Sequence, residues 1–114
     1  MIAHSFNDKF FVPAQKLHGA TYLVDVCFFS KNLNEHNVVV DISQVRDILK
    51  CVLEPLQYNN LDNLPEFQNT LTTTEFLARY IHDKIKESSN PIFKGKISVT
   101  LGESHIAWAS YESD

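Results

Sequence analysis

The sequence predicts an α+β protein in which two helices cover one face of an antiparallel sheet. Strand-like runs rich in β-branched and aromatic residues occupy both ends of the chain, and two amphipathic helical patterns occupy its middle. The predicted order is strand, strand, helix, helix, strand, strand, which is typical of an α+β layout. With 114 residues, 44% of them hydrophobic and 21% charged, the chain is predicted to form one domain spanning residues 1–114.

The first two strands are predicted from alternation and from residue type. Ile2, His4 and Phe6 alternate with smaller residues and indicate a short first strand, followed by a loop over residues 7–16. Residues 17–30 indicate one long strand because they are rich in β-branched and aromatic side chains. Residues 38–40, three valines, are expected to lead into the first helix in an extended conformation.

Capping signals mark the starts of both predicted helices. Asp41 is a favourable N-cap, and Gln44 follows three residues later as in a capping box. Apolar residues then recur at helical spacing as far as Pro55, which ends the helix. Thr72 and Glu75 form a second capping-box pattern, and residues 88–91 end the second helix.

Glu103 stands out in the third predicted strand. It continues the alternation of Ile97, Val99 and Leu101, so a carboxylate follows three apolar residues on one face. Either the strand ends there and the carboxylate reaches water, or Glu103 holds an amidine-like pair of N–H groups on a heterocycle. Burial of an unpaired carboxylate is costly, so Glu103 is expected to have either water or a ligand as its partner. A last strand is predicted over residues 106–111.

Composition excludes several classes of partner. The formal net charge of −4, with scattered basic residues, argues against nucleic-acid binding. No apolar run has the length of a membrane span, and the N-terminus has no signal-peptide pattern, so we expect a cytoplasmic protein without a membrane partner. Cys27 and Cys51 lie in apolar patterns and are expected to be packed, reduced thiols.

Two of the five histidines are candidate metal ligands. His36 and His82 are expected to face solvent, whereas His4 and His18 lie on strands that should pair as a hairpin and bring their imidazoles together. A catalytic zinc normally takes three protein ligands, so two histidines alone predict a weak site. Any single histidine is more commonly a surface or hydrogen-bonded residue than a ligand.

The threonines before the second helix have an ordinary role and a possible functional one. Thr72, Thr73 and Thr74 are expected to cap the helix, which also accounts for Glu75. The exposed N–H groups of a helix N-terminus can in addition donate hydrogen bonds to a ligand.

Six short motifs, in the same order, resemble those of the 6-pyruvoyltetrahydropterin synthase and 6-carboxytetrahydropterin synthase family. The resemblance covers nearly the whole chain. The segments that carry it are Ile2-Ala3-His4-Ser5-Phe6, Leu17-His18-Gly19-Ala20-Thr21-Tyr22, Val39-Val40-Asp41-Ile42, Leu56-Gln57-Tyr58-Asn59-Asn60-Leu61-Asp62, Thr73-Thr74-Glu75-Phe76-Leu77-Ala78 and Glu103-Ser104-His105-Ile106-Ala107-Trp108-Ala109.

This resemblance implies the T-fold, in which ββααββ units with a four-stranded antiparallel sheet assemble into an oligomeric barrel. The implied assembly is a trimer of this chain, usually doubled to a hexamer, with ligand sites between subunits. A pterin or purine would be held by Glu103, assisted by backbone groups near Thr73 and Thr74.

The sequence departs from the family pattern where the chemistry is expected. Family members bind zinc with three histidines, and here His4 and His18 match two of them while Ala20 stands at the third. The family's cysteine has no counterpart at residues 12–15, and its Asp-His pair is replaced by Gln57-Tyr58. The metal ligands, the thiol and its proton relay are therefore all altered.

The resemblance leads to three hypotheses on function. The first is a divergent pterin-converting lyase acting on a dihydroneopterin triphosphate-like substrate, with zinc on His4 and His18 and proton transfer by Gln15, Tyr58 or His105. The second is a non-catalytic pterin- or purine-binding protein with a degenerate zinc site. The third is a structural oligomer that has only inherited the Glu103 anchor.

Overall fold

The computed structural model describes residues 1–6, 8, 10 and 16–114. Its strands are β1 (Ile2–His4), β2 (His18–Ala20), β3 (Leu23–Phe29), β4 (Lys96–Ser104) and β5 (Ala107–Ser113). Its helices are α1 (Ile42–Leu53) and α2 (Thr74–Ser89), with short 3-10 turns at Leu61–Asn63 and Pro65–Phe67 between them. Most of the loop predicted over residues 7–16 lies outside the described residues.

The described strands form two antiparallel sheets, so the prediction of one four-stranded sheet is wrong for this protomer. β1 pairs with β2, and a separate sheet has the order β3-β4-β5. The long strand predicted over residues 17–30 is interrupted because its first part pairs with β1 and its second part pairs with β4. Residues 21 and 22, where the pairing partner changes, belong to neither strand.

The core lies between α2 and the inner face of β4. Alternate residues of β4 are buried, as expected for a strand with one face against a helix. The apolar face of α2 packs on them, and α1 lies against α2 with none of its residues fully buried. The central buried side chains are Leu77, Ala78, Ile81, Ile85, Ile97, Val99 and Leu101.

Both helix N-caps differ in detail from the capping boxes predicted. Asp41 caps α1 as expected, but its side chain accepts from the backbone N–H of Ser43 at 2.8 Å. At α2 the cap is Thr73, whose hydroxyl accepts from the Phe76 N–H at 3.1 Å. Thr72 is buried and its hydroxyl contacts His4 instead, so it is not available as the cap.

Three further expectations are wrong. His82 is buried, because its ring lies between α2 and β5, with Nδ1 2.9 Å from Asp83 Oδ1 and Nε2 3.1 Å from Ser113 Oγ. Cys27 and Cys51 are exposed in the protomer rather than packed. Residues 38–40 bend instead of extending. Among the described residues, none of the helices has the length and apolar character needed to cross a membrane.

Replacement of the α2 cap tests how the helix start is fixed. Thr73→Ala should lower the free energy of unfolding by about 1 kcal/mol, because the Phe76 N–H loses its acceptor. Thr73→Ser keeps an acceptor hydroxyl and should stay within a few tenths of a kcal/mol of the unmodified chain. Chemical denaturation at a fixed protomer concentration measures both, and equal stability of the two variants would contradict the assignment.

Candidate ligand-binding site

The β1–β2 hairpin brings the two candidate histidines together. His4 and His18 are directly opposite each other in the antiparallel register. Their ring centroids are 4.6 Å apart and their planes are inclined by 64°. The predicted meeting of the two imidazoles is therefore confirmed, while their role as ligands stays a prediction.

His4 is enclosed but incompletely hydrogen-bonded. Its side chain is 1% exposed, and its Nδ1 atom lies 3.0 Å from the hydroxyl oxygen of Thr72. Its Nε2 atom is buried and has no hydrogen-bond partner among the described residues. Burial, and next the neighbouring His18, lower the pKa of His4 below its usual value, so the imidazole is neutral at pH 7.

His18 is oriented by the backbone. Its Nδ1 atom lies 2.8 Å from the carbonyl oxygen of Lys16, which can only accept a hydrogen bond. Nδ1 therefore carries the proton, and in the neutral ring the lone pair is on Nε2. Each histidine thus presents an Nε2 atom that the described residues leave without a hydrogen bond.

These two imidazoles do not fit a three-ligand zinc site within one protomer. Ala20 lies on the same strand face as His18, opposite Ile2, and its methyl group packs against the core. Across the described ranges, no three His, Cys, Asp or Glu side chains are grouped so that they could hold a metal. The sequence of the other positions, 7, 9 and 11–15, contains none of those four residue types.

Asp62 has a carboxylate close to this hairpin, and both of its oxygens accept hydrogen bonds from Ser5, just beyond β1. One of its oxygens accepts from the backbone N–H of Ser5 at 3.2 Å, and the other accepts from the Ser5 hydroxyl at 2.5 Å. These bonds fix the chain just beyond β1 to the turn at Leu61–Asn63. Asp62 therefore positions the histidine strand.

Tyr22 connects the histidine pair with the start of α2. Its ring centroid lies 6.4 Å from that of His4, and its hydroxyl oxygen lies 3.5 Å from the hydroxyl oxygen of Thr74. Burial is the main cause that raises the pKa of Tyr22, and the carboxylates of Glu103 and Glu75 raise it further. The phenol is therefore protonated at pH 7 and can donate a hydrogen bond.

Glu103 lies near the end of β4 in an open cleft. Its carboxylate is exposed and forms no hydrogen bond or ion pair with any residue that the structure describes. A register irregularity between Gly102 and Ser104 releases this end of β4 from regular pairing with β5. The cleft has a volume of about 410 Å³, within the range of small-molecule sites. Its walls comprise Thr74, Glu75, Glu103, Ile106, Ala107, Trp108 and Ala109.

The two threonines predicted to assist a ligand have different positions. Thr74 is the first residue of α2 and lines the cleft with Glu103. The Thr73 hydroxyl is used by the helix cap, so Thr73 can assist only through its backbone. The structure thus brings together Glu103 and Thr74 and links them through Tyr22 to His4 and His18.

Tyr58 and His105, two of the three predicted proton-transfer residues, do not line this cleft. Tyr58 is 82% exposed in the segment after α1, and its backbone has a φ angle of 59°. His105 is exposed in the turn between β4 and β5, two residues beyond Glu103 in the chain. Gln15 lies outside the described residues.

Sequence reasoning missed two residues that line or border the site. Tyr22 lies on one face of the predicted strand, and a phenol close to a histidine pair in the sequence could have indicated it as a candidate site residue. Trp108 is 64% exposed and lines the cleft, and its signal was an indole close in sequence to the carboxylate at Glu103.

Comparison with known proteins places this sequence in a family. The family model described as 6-pyruvoyl tetrahydropterin synthase matches residues 1–114. A protein from Dictyostelium discoideum named 6-pyruvoyl tetrahydrobiopterin synthase is 30% identical over an alignment of 81 residues, and the match covers 69% of this chain. That match spans 60% of the length of the Dictyostelium protein.

Solved structures support the same fold. The 6-pyruvoyl tetrahydropterin synthase of Caenorhabditis elegans has a TM-score of 0.80 at 21% identity, over 99% of this chain and 89% of that one. The 6-pyruvoyltetrahydropterin synthase of Plasmodium vivax, in a catalytic-residue variant, has a TM-score of 0.76 at 20% identity, over 99% and 90%. Because the family model covers the whole sequence, this chain belongs to the 6-pyruvoyl tetrahydropterin synthase family.

Proposed function

We propose that this chain binds a pterin in the cleft at Glu103 and acts on it as a divergent lyase of its family. The substrate class is a dihydroneopterin triphosphate-like pterin, and the product is a 6-substituted tetrahydropterin. One observation carries the proposal. The Glu103 carboxylate lies in a cleft of about 410 Å³, and no described side chain neutralises it or donates to it.

The chemistry of this carboxylate matches one edge of a pterin. An ionised carboxylate only accepts hydrogen bonds and can accept two in parallel from neighbouring N–H groups. The amidine-like edge of a pterin presents such a pair, and charge-assisted bonds of this kind are the stronger ones. Thr74 and Glu75, the first two residues of α2, also line the cleft, and N–H groups at a helix start can donate to other ligand atoms.

We propose that the cleft is completed by a second copy of the chain in a trimer or hexamer. β5 is an edge of the three-stranded sheet, and β3, the opposite edge, pairs only with β4 among the described strands. Unpaired strand edges are ready templates for pairing with another chain. The exposed side chain of Ile106, next to Glu103 on the cleft wall, is consistent with such closure.

A second candidate function is pterin or purine binding without catalysis. The specific observation that favours it is the hairpin with two imidazoles, because the position that the family resemblance assigns to a third ligand carries the methyl group of Ala20. A thiol is also absent from the cleft, since the exposed Cys27 and Cys51 lie on β3 and α1.

In the first function, proton transfer would fall to His105, Tyr58 or Gln15. Under either function we expect a cytoplasmic protein.

Neutralising Glu103 tests ligand binding. Glu103→Gln should weaken the affinity for a pterin such as neopterin by about 10- to 100-fold, because one charged acceptor is lost. Glu87→Gln is the matched control, an exposed glutamate near the other end of α2, and should leave the affinity unchanged. Titration calorimetry measures both.

Equal affinities of the two variants would overturn the role of Glu103. Turnover of dihydroneopterin triphosphate by the unmodified chain separates the two candidate functions. Formation of a 6-substituted tetrahydropterin identifies the lyase, whereas tight binding without product identifies the binding protein.

Introducing an imidazole at position 20 tests the interpretation of the hairpin as a zinc site that lacks one ligand. Ala20→His places a third ring on the face that carries His18, so one zinc ion per protomer should be retained after purification. Gly19→His is the control, because position 19 faces the opposite side of β2, and it should retain no more zinc than the unmodified chain.

Elemental analysis of the folded fraction provides the measurement for this series. The larger side chain at position 20 is expected to cost about 1–3 kcal/mol of stability, since Ala20 contacts the core. One zinc ion per protomer in the unmodified chain would contradict the interpretation that the hairpin lacks a ligand. This measurement on the unmodified chain does not depend on whether Ala20→His folds.

A further inference from the structure

Trp108 has a large apolar side chain that is exposed in the cleft at Glu103. It is the only tryptophan of the chain, and its side chain is 64% exposed. It lies on β5 and lines the same cleft as Glu103. Within the described part of the chain, its indole forms no aromatic or cation–π contact.

The register of the sheet explains why the indole has no cross-strand cover. Trp108 is paired with Gly102 on β4, and Gly102 is paired with Leu23 on β3. Side chains directly opposite each other normally pack across antiparallel strands, and glycine supplies none. A Cβ atom added at Gly102 would meet the Leu23 Cβ atom at 3.9 Å, an ordinary van der Waals contact, and Gly102 itself places no side chain over the indole. The indole face is therefore free for another occupant.

Glu103 and Trp108 offer two complementary kinds of contact. The carboxylate accepts N–H groups that lie in the plane of a heterocycle, so it fixes one edge of the ring. An indole offers its face, and aromatic rings pack favourably in offset-stacked arrangements. An edge contact and a face contact together fix both the rotation and the plane of a flat ring.

Resting on the proposed function, we propose that Trp108 is the stacking platform for the ring whose edge Glu103 holds. The site would therefore select flat, bicyclic heteroaromatic ligands that carry an amidine-like edge. A monocycle with the same edge would meet Glu103 equally well but would cover less of the indole. Trp108 is in this sense a specificity-determining residue, separate in role from the carboxylate.

The single tryptophan provides a direct spectroscopic probe. Because no other residue contributes indole emission, stacking should quench the fluorescence of the unmodified chain as neopterin is added. Trp108→Ala should weaken the affinity for neopterin by about 10- to 100-fold, and Trp108→Phe, which keeps a smaller ring, by less. Calorimetry gives the affinities independently of pterin absorption.

A monocyclic probe isolates the stacking contribution. Isocytosine carries the same amidine-like edge with a smaller ring, so Trp108→Ala should weaken its binding less than that of neopterin. Glu103→Gln should weaken both ligands by a similar factor. Phe29→Ala is the control for loss of an exposed aromatic ring, since Phe29 lies at the far end of β3 and should leave affinity unchanged.

The outcomes separate this inference from the proposed function. A loss in Trp108→Ala with the mass of the assembly unchanged in light scattering supports the stacking role. Unchanged neopterin affinity in Trp108→Ala, while Glu103→Gln loses it, overturns the role of Trp108 and leaves the cleft intact. Dissociation of the assembly by Trp108→Ala also overturns it, because the indole is then an interface residue. No neopterin binding by the unmodified chain rejects the proposed function itself.

Discussion

The packing of α2 on β4 forms the centre of the core and positions the candidate site. The buried face of the helix covers the alternate buried residues of the strand, and this contact forms most of the core. It also places the first residue of α2, Thr74, beside Glu103 near the end of β4. The same helix start holds Thr72 against His4, so both parts of the site are positioned by one packed interface.

The ligand cleft and the histidine hairpin lie on different elements, which allows them to change independently. Glu103 and Trp108 belong to β4 and β5, whereas His4 and His18 belong to β1 and β2. Tyr22 is the residue that joins them, through its proximity to His4 and to Thr74. Position 20 lies on β2 and is not among the residues that line the cleft, so a substitution there leaves the walls of the cleft unchanged.

Local patterns predicted the helices and several site residues, but not the tertiary arrangement around them. The helical spacing and the capping residue of α1 were sufficient to place that helix, and the alternation in β4 located Glu103 at its end. The division into two sheets was not predictable, because a continuous β-rich run does not show where its partner changes. The burial of His82 and the use of Thr72 by His4 also depend on contacts between distant segments. Exposure of Trp108 follows from its pairing with Gly102, which only the register reveals.

The proposed binding of a pterin through Glu103 requires no metal on the histidine hairpin of β1 and β2. Calorimetric titration of the purified protein with neopterin, once with a strong zinc chelator and once with added zinc, measures whether binding depends on a metal. We expect neopterin to bind with the same dissociation constant under both conditions. Loss of binding in the chelator, with recovery when zinc is restored, would contradict it.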